Sequence, residues 1–262
     1  MIGGSKVVKI TAKTALEGKM LNVVIASSIF LFCSFICNCS AGIFSYTGIN
    51  SVSYIILALL IIFIIAPILL GLIRFIWRMI FGADDNPISV FYYLSNTTLY
   101  LKSLKFISLL ILKAVPIAML LFFPVILLWF FTQGFFYDMF GLAMPLWVAN
   151  LNLVIRILAV FAIVVLIFYM LRFYLAPILF VADENMDVHE NFYMSNTISR
   201  KSSLDFIYLF SSFFGWIALS LFIIPLIFTL PYMFTSYAVH SRFAVAEYNK
   251  HISKNAGNDG LM

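Results

Sequence analysis

Lys113 is the residue in this sequence with the most chemical leverage. It lies eight residues beyond Lys105 in an apolar run, about 12 Å deeper along a helix rising 1.5 Å per residue. An ionised amine at that depth of a bilayer is costly, and such residues default to a functional role. No Asp or Glu lies in an apolar span core to neutralise it. The amine must therefore lose its proton, reach toward headgroups, face a wet cavity or hold an anionic ligand. Pro116 and Pro124 follow in the same run and can open a cavity by kinking the helix. Arg156 and Arg172 are sixteen residues apart, about 24 Å of helix, which suits one near each face of a hydrocarbon core about 30 Å thick. Both can snorkel, as can Arg74. Lys113, Arg156, Arg74 and Arg172 are thus the candidate contacts for a lipid or other ligand, with interfacial anchoring as the competing reading for each.

Other chemistry is sparse. Ser236 and His240 are four apart and can face one another on a helix, but no carboxylate is evidently placed to orient the imidazole. Cys33, Cys37 and Cys39 lack nearby His or Asp, and free cysteine packs as a small hydrophobe. Phosphate-binding loops, glycine fingerprints and zinc-protease helices are missing from the sequence. Acidic clusters at 84–85 and 183–187 read as turn and capping chemistry rather than a metal site. No catalytic residues, cofactor or metal are expected, and the basic residues do not accompany a base-stacking module that would indicate nucleic acid.

The elements that position these residues follow from composition. The chain has 262 residues, 64% hydrophobic and 10% charged, against about 25% charged in an ordinary soluble domain. A soluble globule of that make-up would expose large apolar patches. Transmembrane helices need about 20 mostly apolar residues, and six candidates are legible. They run near 21–44, 52–81, 104–131, 151–181, 204–224 and 228–248, the last two separated because Pro225 and Pro231 interrupt one long stretch. The first is expected to be a signal anchor rather than a cleaved leader. Lys6, Lys9, Lys13 and Lys19 precede it, and further Lys and Arg collect at 74–105, 172–201 and 242–254, whereas 45–51, 132–148 and 225–230 contain none. The positive-inside rule places both termini in the cytoplasm.

Polar blocks repeat. Arg74-Phe75 recurs at 172–173, Ala83-Asp84-Asp85-Asn86 as Ala182-Asp183-Glu184-Asn185, and Tyr93-Leu94-Ser95-Asn96-Thr97 as Tyr193-Met194-Ser195-Asn196-Thr197, at offsets of 98, 99 and 100. The copies begin in spans of the same direction, so the duplication is parallel, with units at about 52–131 and 151–230. Asn86 before Pro87 predicts an N-cap with proline in the first turn. Asp187 with Glu190 predicts a capping box. Residues 5–19 predict a basic amphipathic helix, with Lys6, Lys9 and Lys13 on one face and Val7, Val8, Thr11 and Ala15 roughly opposite, suited to an anionic leaflet. The fold expected is an all-α polytopic bundle of six spans in two parallel repeats with short cytoplasmic amphipathic helices. It forms a single domain over 1–252, with a flexible tail at 253–262.

A family resemblance adds to this. Ala176-Pro177, Ala182-Asp183, Asp187, Ser195, Ile198 and Arg200 are followed by Phe214-Gly215-Trp216, Pro231-Tyr232-Met233, Tyr237-Ala238, Phe243 and Glu247. With Ala12-Lys13, Ala15-Leu16, Gly18, Gly71-Leu72 and Arg74 in the front half, the pattern resembles the bacterial multi-pass membrane family catalogued as domain of unknown function 975. It departs at Lys201, where that family has glycine, and at Asp205, where a basic residue is usual. The resemblance implies a six-span bacterial plasma-membrane protein and carries no assigned activity. The functional expectation is a non-enzymatic protein that handles or senses a lipid or other amphiphile, with membrane lipids as partners. The alternative is a permease subunit working with a separate ATPase.

Overall fold

The computed structural model describes residues 4–45, 50–83, 85–132, 148–219 and 223–259, and every regular element among them is helical. The chain divides into two compact units, a larger one of residues 1–107 and 173–262 and a smaller one of 108–172. In chain order the helices are α1 (Ser5–Leu16), α2 (Met20–Ser45), α3 (Asn50–Leu60), a π-helical turn (Ile61–Ile65), α4 (Ala66–Ile80) and a 3-10 helix (Pro87–Leu94). They continue as α5 (Thr97–Thr132), α6 (Val148–Met170), a 3-10 turn (Leu171–Phe173), α7 (Ala176–Ala182), α8 (Val188–Ser211), α9 (Phe214–Leu219) and α10 (Ile223–Asp259).

Four stretches among the described residues are long and apolar enough to cross a membrane: Met20–Ile43, Val52–Ile80, Thr97–Thr132 and Leu151–Ala182. They match the first four expected spans to within a few residues, except that the third begins earlier. Their outer surfaces are apolar as well: Ile157, Val160, Phe161 and Phe168 of α6 all stand at the protein surface. Water would penalise such a face, whereas lipid tails solvate it as well as leucine does.

Proline sets the irregularities. Ala66-Pro67-Ile68-Leu69 and Ala176-Pro177-Ile178-Leu179 each open a helix, one after the π turn and the other after the 3-10 turn. A proline lacks the amide proton and its ring crowds the carbonyl four residues back, so the ladder loosens just upstream. Pro116 and Pro124 lie within α5, which continues through both. Gly82 adopts φ 86° after α4 and Gly18 adopts φ 77° between α1 and α2, a region glycine enters without steric cost. Gly71 serves differently. The 3-10 helix lies so close to α4 that a Cβ there would sit 1.9 Å from the Val90 carbonyl oxygen.

The last apolar stretch differs from expectation. One break falls at Ser212–Phe213, residues 220–222 lie outside the described residues, and α10 runs through Pro231. Pro225 is the third residue of α10, where the missing N–H would have had no intrahelical partner. The carbonyl of Pro231 accepts a hydrogen bond from Thr235 Oγ1 at 2.8 Å. Helix α10 continues to Asp259, through most of the segment expected to form a flexible tail.

Helix α1 is shorter than the expected 5–19, and its inward face keeps Val8 of the expected set but is completed by Ala12 and Leu16 in place of Val7, Thr11 and Ala15. Val8 and Ala12 pack against Leu209, Phe213 and Val239 of the α8–α10 region. Lys9 Nζ donates to the Ser212 carbonyl at the end of α8 (3.3 Å) and lies 4.6 Å from the Phe213 ring centroid. A cation over the last carbonyls of a helix is favoured by its dipole. Lys6, Val7, Ile10 and Lys13 face outward.

Candidate functional site

The basic residues of α4 and α5 meet the acidic residues of the turns. Arg74 is buried, its Nε donating to Glu184 Oε1 at 2.9 Å. Tyr92 donates its hydroxyl to Glu184 Oε2 at 3.0 Å, and the Arg74 guanidinium lies 3.4 Å over the Tyr92 ring. Lys102 donates to the Glu184 backbone carbonyl and stands 5.7 Å from the Phe180 ring. Burial first, and then the bond to Glu184, push the Tyr92 hydroxyl above the ordinary phenol range. Burial alone is the leading cause of the same upward shift at Tyr93, whose hydroxyl has no hydrogen-bond partner among the described residues. Nearby, Arg78 Nε pairs with Asp85 at 3.2 Å and Lys105 with Asp187 at 3.0 Å.

This cluster rests on local capping. Asn86 caps the 3-10 helix, accepting from Ile88 N at 3.1 Å with Pro87 in the first turn. Asp187 caps α8 through Oδ2, which accepts from His189 N at 3.2 Å, and spends Oδ1 on Lys105. The hydrogen bond from Lys105, followed by the one from His189 N, holds the Asp187 carboxyl below the usual range. An open cleft of about 470 Å³ lies over Arg74, Trp77, Arg78, Asp183 and Glu184. Its charges are of both signs, and Arg74, Arg78 and Glu184 are held in ion pairs, so it works as a clasp between α4, the 3-10 helix and the 183–187 turn.

Two of the cavities among the described residues lie elsewhere in the larger unit. One, of about 370 Å³, is walled by Tyr174, Phe206, Phe210, Phe213, Met233 and Tyr237 among others, with almost no polar surface. The second, of about 330 Å³, is lined by Lys6, Asp205, Tyr208 and His240 together with the first residues of α1. Leu209 belongs to both. They are joined chemically too: Tyr174 of the apolar cavity shares a 3.2 Å hydrogen bond with His240 Nε2 of the polar one, and its hydroxyl lies 2.7 Å from Ser202 Oγ. Tyr237 donates to the Tyr174 backbone carbonyl.

His240 is 1% exposed, and its Nε2 hydrogen-bonds the Tyr174 hydroxyl, not Ser236. Ser236 Oγ is buried and has no hydrogen-bond partner among the described residues, so the i, i+4 spacing does not make a dyad. Of the four residues the sequence singles out, Arg74 is enclosed in the clasp. Lys113 is half-buried on α5, Arg156 is at the surface of α6, and Arg172 is at the surface with its guanidinium 5.9 Å from the Tyr169 ring. Arg74 and Arg172, which the expected repeat would pair, thus differ in burial. Among the described residues no three His, Cys, Asp or Glu side chains converge as metal ligands.

Sequence reasoning missed the Arg74–Glu184 pair and the Tyr174–Ser202–His240 network. The doubled Ala-Pro-Ile-Leu tetrapeptide was the available signal for the two helix breaks beside them. Comparison with protein-family models, with curated proteins and with solved structures finds no match to this chain.

Proposed function

We propose that this chain is a non-enzymatic, multi-pass protein of the bacterial plasma membrane that handles or senses a lipid or another amphiphile. In this reading it has six spans in two parallel halves and cytoplasmic termini, as the resemblance to the domain of unknown function 975 family implies. One observation carries the functional part: the apolar, aromatic-walled cavity and the polar cavity share Leu209 and are bridged by the Tyr174–His240 hydrogen bond. They are stacked in amphiphile order along α8 and α10. From the shared Leu209, Asp205 and His240 lie on the side of Arg200, Lys201, Glu247 and Lys250 along the two helices, while Phe213 and Leu230 lie toward the apolar length. Each volume is within the lower range of small-molecule sites.

The test is native mass spectrometry of the full chain extracted in a non-ionic detergent. Wild type should keep a bound amphiphile through delipidating washes, and Met233→Trp, which fills the apolar cavity, should lose it while keeping the same helical content. A wild-type protein that retains nothing overturns the proposal. A separate ATPase co-purifying in stoichiometric amount supports the permease alternative instead.

A further inference from the structure

Helix α1 presents three strips around its axis, each of different chemistry. Val8, Ala12 and Leu16 form the docked strip. At about 100° per residue, Lys9, Lys13 and Lys6 come next around the helix, and Ile10 and Val7 follow. Lys9 is turned onto the Ser212 carbonyl, whereas Lys6 and Lys13 are exposed. Ile10 is 63% exposed and Val7 50%, and residues three apart on a helix are neighbours. Thr14 lies between them on the wheel, and its hydroxyl donates to the Thr11 carbonyl at 2.9 Å, which leaves the strip apolar. A helix facing water beyond its docked strip gains nothing from that patch. A bilayer boundary accepts the whole order, with the apolar strip at the acyl level, the lysines at the phosphates and the third strip on protein.

The neighbouring elements set the level. Gly18 turns the chain between α1 and α2, and α2 is an apolar span from Met20, so α1 ends where the hydrocarbon begins. Ile80 and Phe243 pack on the cluster that holds Val8 and Ala12. Their chain neighbours Phe81 and Arg242 are exposed, with the guanidinium 4.7 Å from the ring. Cations of α1 and α10 therefore flank one docking point. Against the lysines, residues 5–19 carry one carboxylate, Glu17, past the end of α1. We infer that the outward surface of α1 docks on anionic phospholipid of the adjoining leaflet, with Lys6 and Lys13 at phosphates and Val7 and Ile10 among the upper acyl carbons. It rests on the multi-pass reading above and is independent of the two cavities.

Two measurements on the full chain test it. In a Cys33→Ala, Cys37→Ala, Cys39→Ala background reconstituted into phosphatidylcholine–phosphatidylglycerol vesicles, a nitroxide at Ile10→Cys should collide more with oxygen than with a water-soluble nickel chelate. At Asn185→Cys, in the 183–187 turn, the order should reverse. Native mass spectrometry with the two lipids at equal concentration and acyl composition should show phosphatidylglycerol in excess. Lys6→Gln and Lys13→Gln, both at exposed positions, should each reduce that excess roughly fivefold, as surface lysines do at an anionic leaflet. A nickel-accessible Ile10 overturns the docking, and an Ile10 closed to both reagents means that protein, such as a second copy of the chain, covers the strip, which overturns it too. An unchanged phosphatidylglycerol excess in both lysine variants overturns the anionic partner. Failure of the wild-type chain to enter vesicles takes down the multi-pass reading itself.

Discussion

Glu184→Gln separates the energetics of the clasp from simple surface pairing. The Arg74 side chain is 9% exposed and that of Glu184 39%. Removing one partner of a fully buried pair costs about 3–5 kcal/mol, because the other charge is left uncompensated, whereas exposed pairs contribute no more than about 1 kcal/mol. Water reaches the glutamate here, so the loss on Glu184→Gln should fall between these limits, at about 1–2 kcal/mol, including a weakened bond from Tyr92. The effect should be asymmetric. Glu184→Gln strands a buried guanidinium, while Arg74→Met removes that buried charge and leaves a carboxylate that water can solvate. Arg74→Met should therefore cost less, and the double variant should be about as stable as Arg74→Met alone. Reversible unfolding by dodecyl sulfate titrated into dodecyl maltoside micelles, followed by tryptophan fluorescence, measures all four corners of the cycle. Trp77, three residues from Arg74, reports on the clasp once Trp129, Trp147 and Trp216 are replaced by Phe in the background of all four corners. Additivity within about 0.3–0.5 kcal/mol is what independent sites show, and finding it here would refute the coupling.

Four further outcomes are expected. Gly71→Ala should destabilise by about 1–3 kcal/mol, since a Cβ 1.9 Å from the Val90 carbonyl oxygen forces α4 and the 3-10 helix apart; an unchanged melting temperature would contradict that close approach. Tyr93→Phe should melt no lower than wild type, because it removes a buried hydroxyl that has no hydrogen-bond partner among the described residues while keeping the ring tilted against Phe180; a loss above about 1 kcal/mol would imply a hydrogen bond. The depressed Asp187 carboxyl stabilises the start of α8 above the ordinary carboxylate range, and that contribution fades as pH falls through its lowered folded value. Hydrogen exchange at residues 188–191 should accelerate in acid in wild type, and in Asp187→Ala it should be fast at neutral pH with little acid dependence; identical pH profiles would exclude the cap. Thiol labelling of intact cells should reach a cysteine introduced beside Asp138, outside the described residues, but not ones at Asn96 or Asn196; labelling at either asparagine from outside would invert the proposed topology.

Much of the architecture was legible because it depends on local, additive properties. Apolar runs near 21–44 and 52–81 need only their own length and composition to become the helices observed, and the caps at Asn86 and Asp187 involve atoms two residues away in sequence. Where competing local signals met, the reading strayed. Pro225 and Pro231 looked like a break, yet one falls in a first turn and the other lies within a continuing helix, and among the described residues a break falls earlier, at Ser212–Phe213 beside Lys9. In α1 the 3.6-residue period left neighbouring faces nearly equivalent, and docking on Leu209, Phe213 and Val239 selected Val8, Ala12 and Leu16.

The candidate site was the least legible part, for a reason of distance. Sequence determined that the arginines and the acidic turns exist, and that His240 can face a residue four away. Tertiary structure decided that Arg74 takes Glu184, 110 residues on, and that His240 takes Tyr174, 66 residues back, rather than Ser236. Hydrogen bonding decays within ångströms of its ideal geometry, so a partner is chosen by which backbones the packing brings together. The Ala-Pro-Ile-Leu breaks, the Gly71–Val90 approach and the docking of α1 accomplish that, and none of those contacts has a fixed separation along the chain.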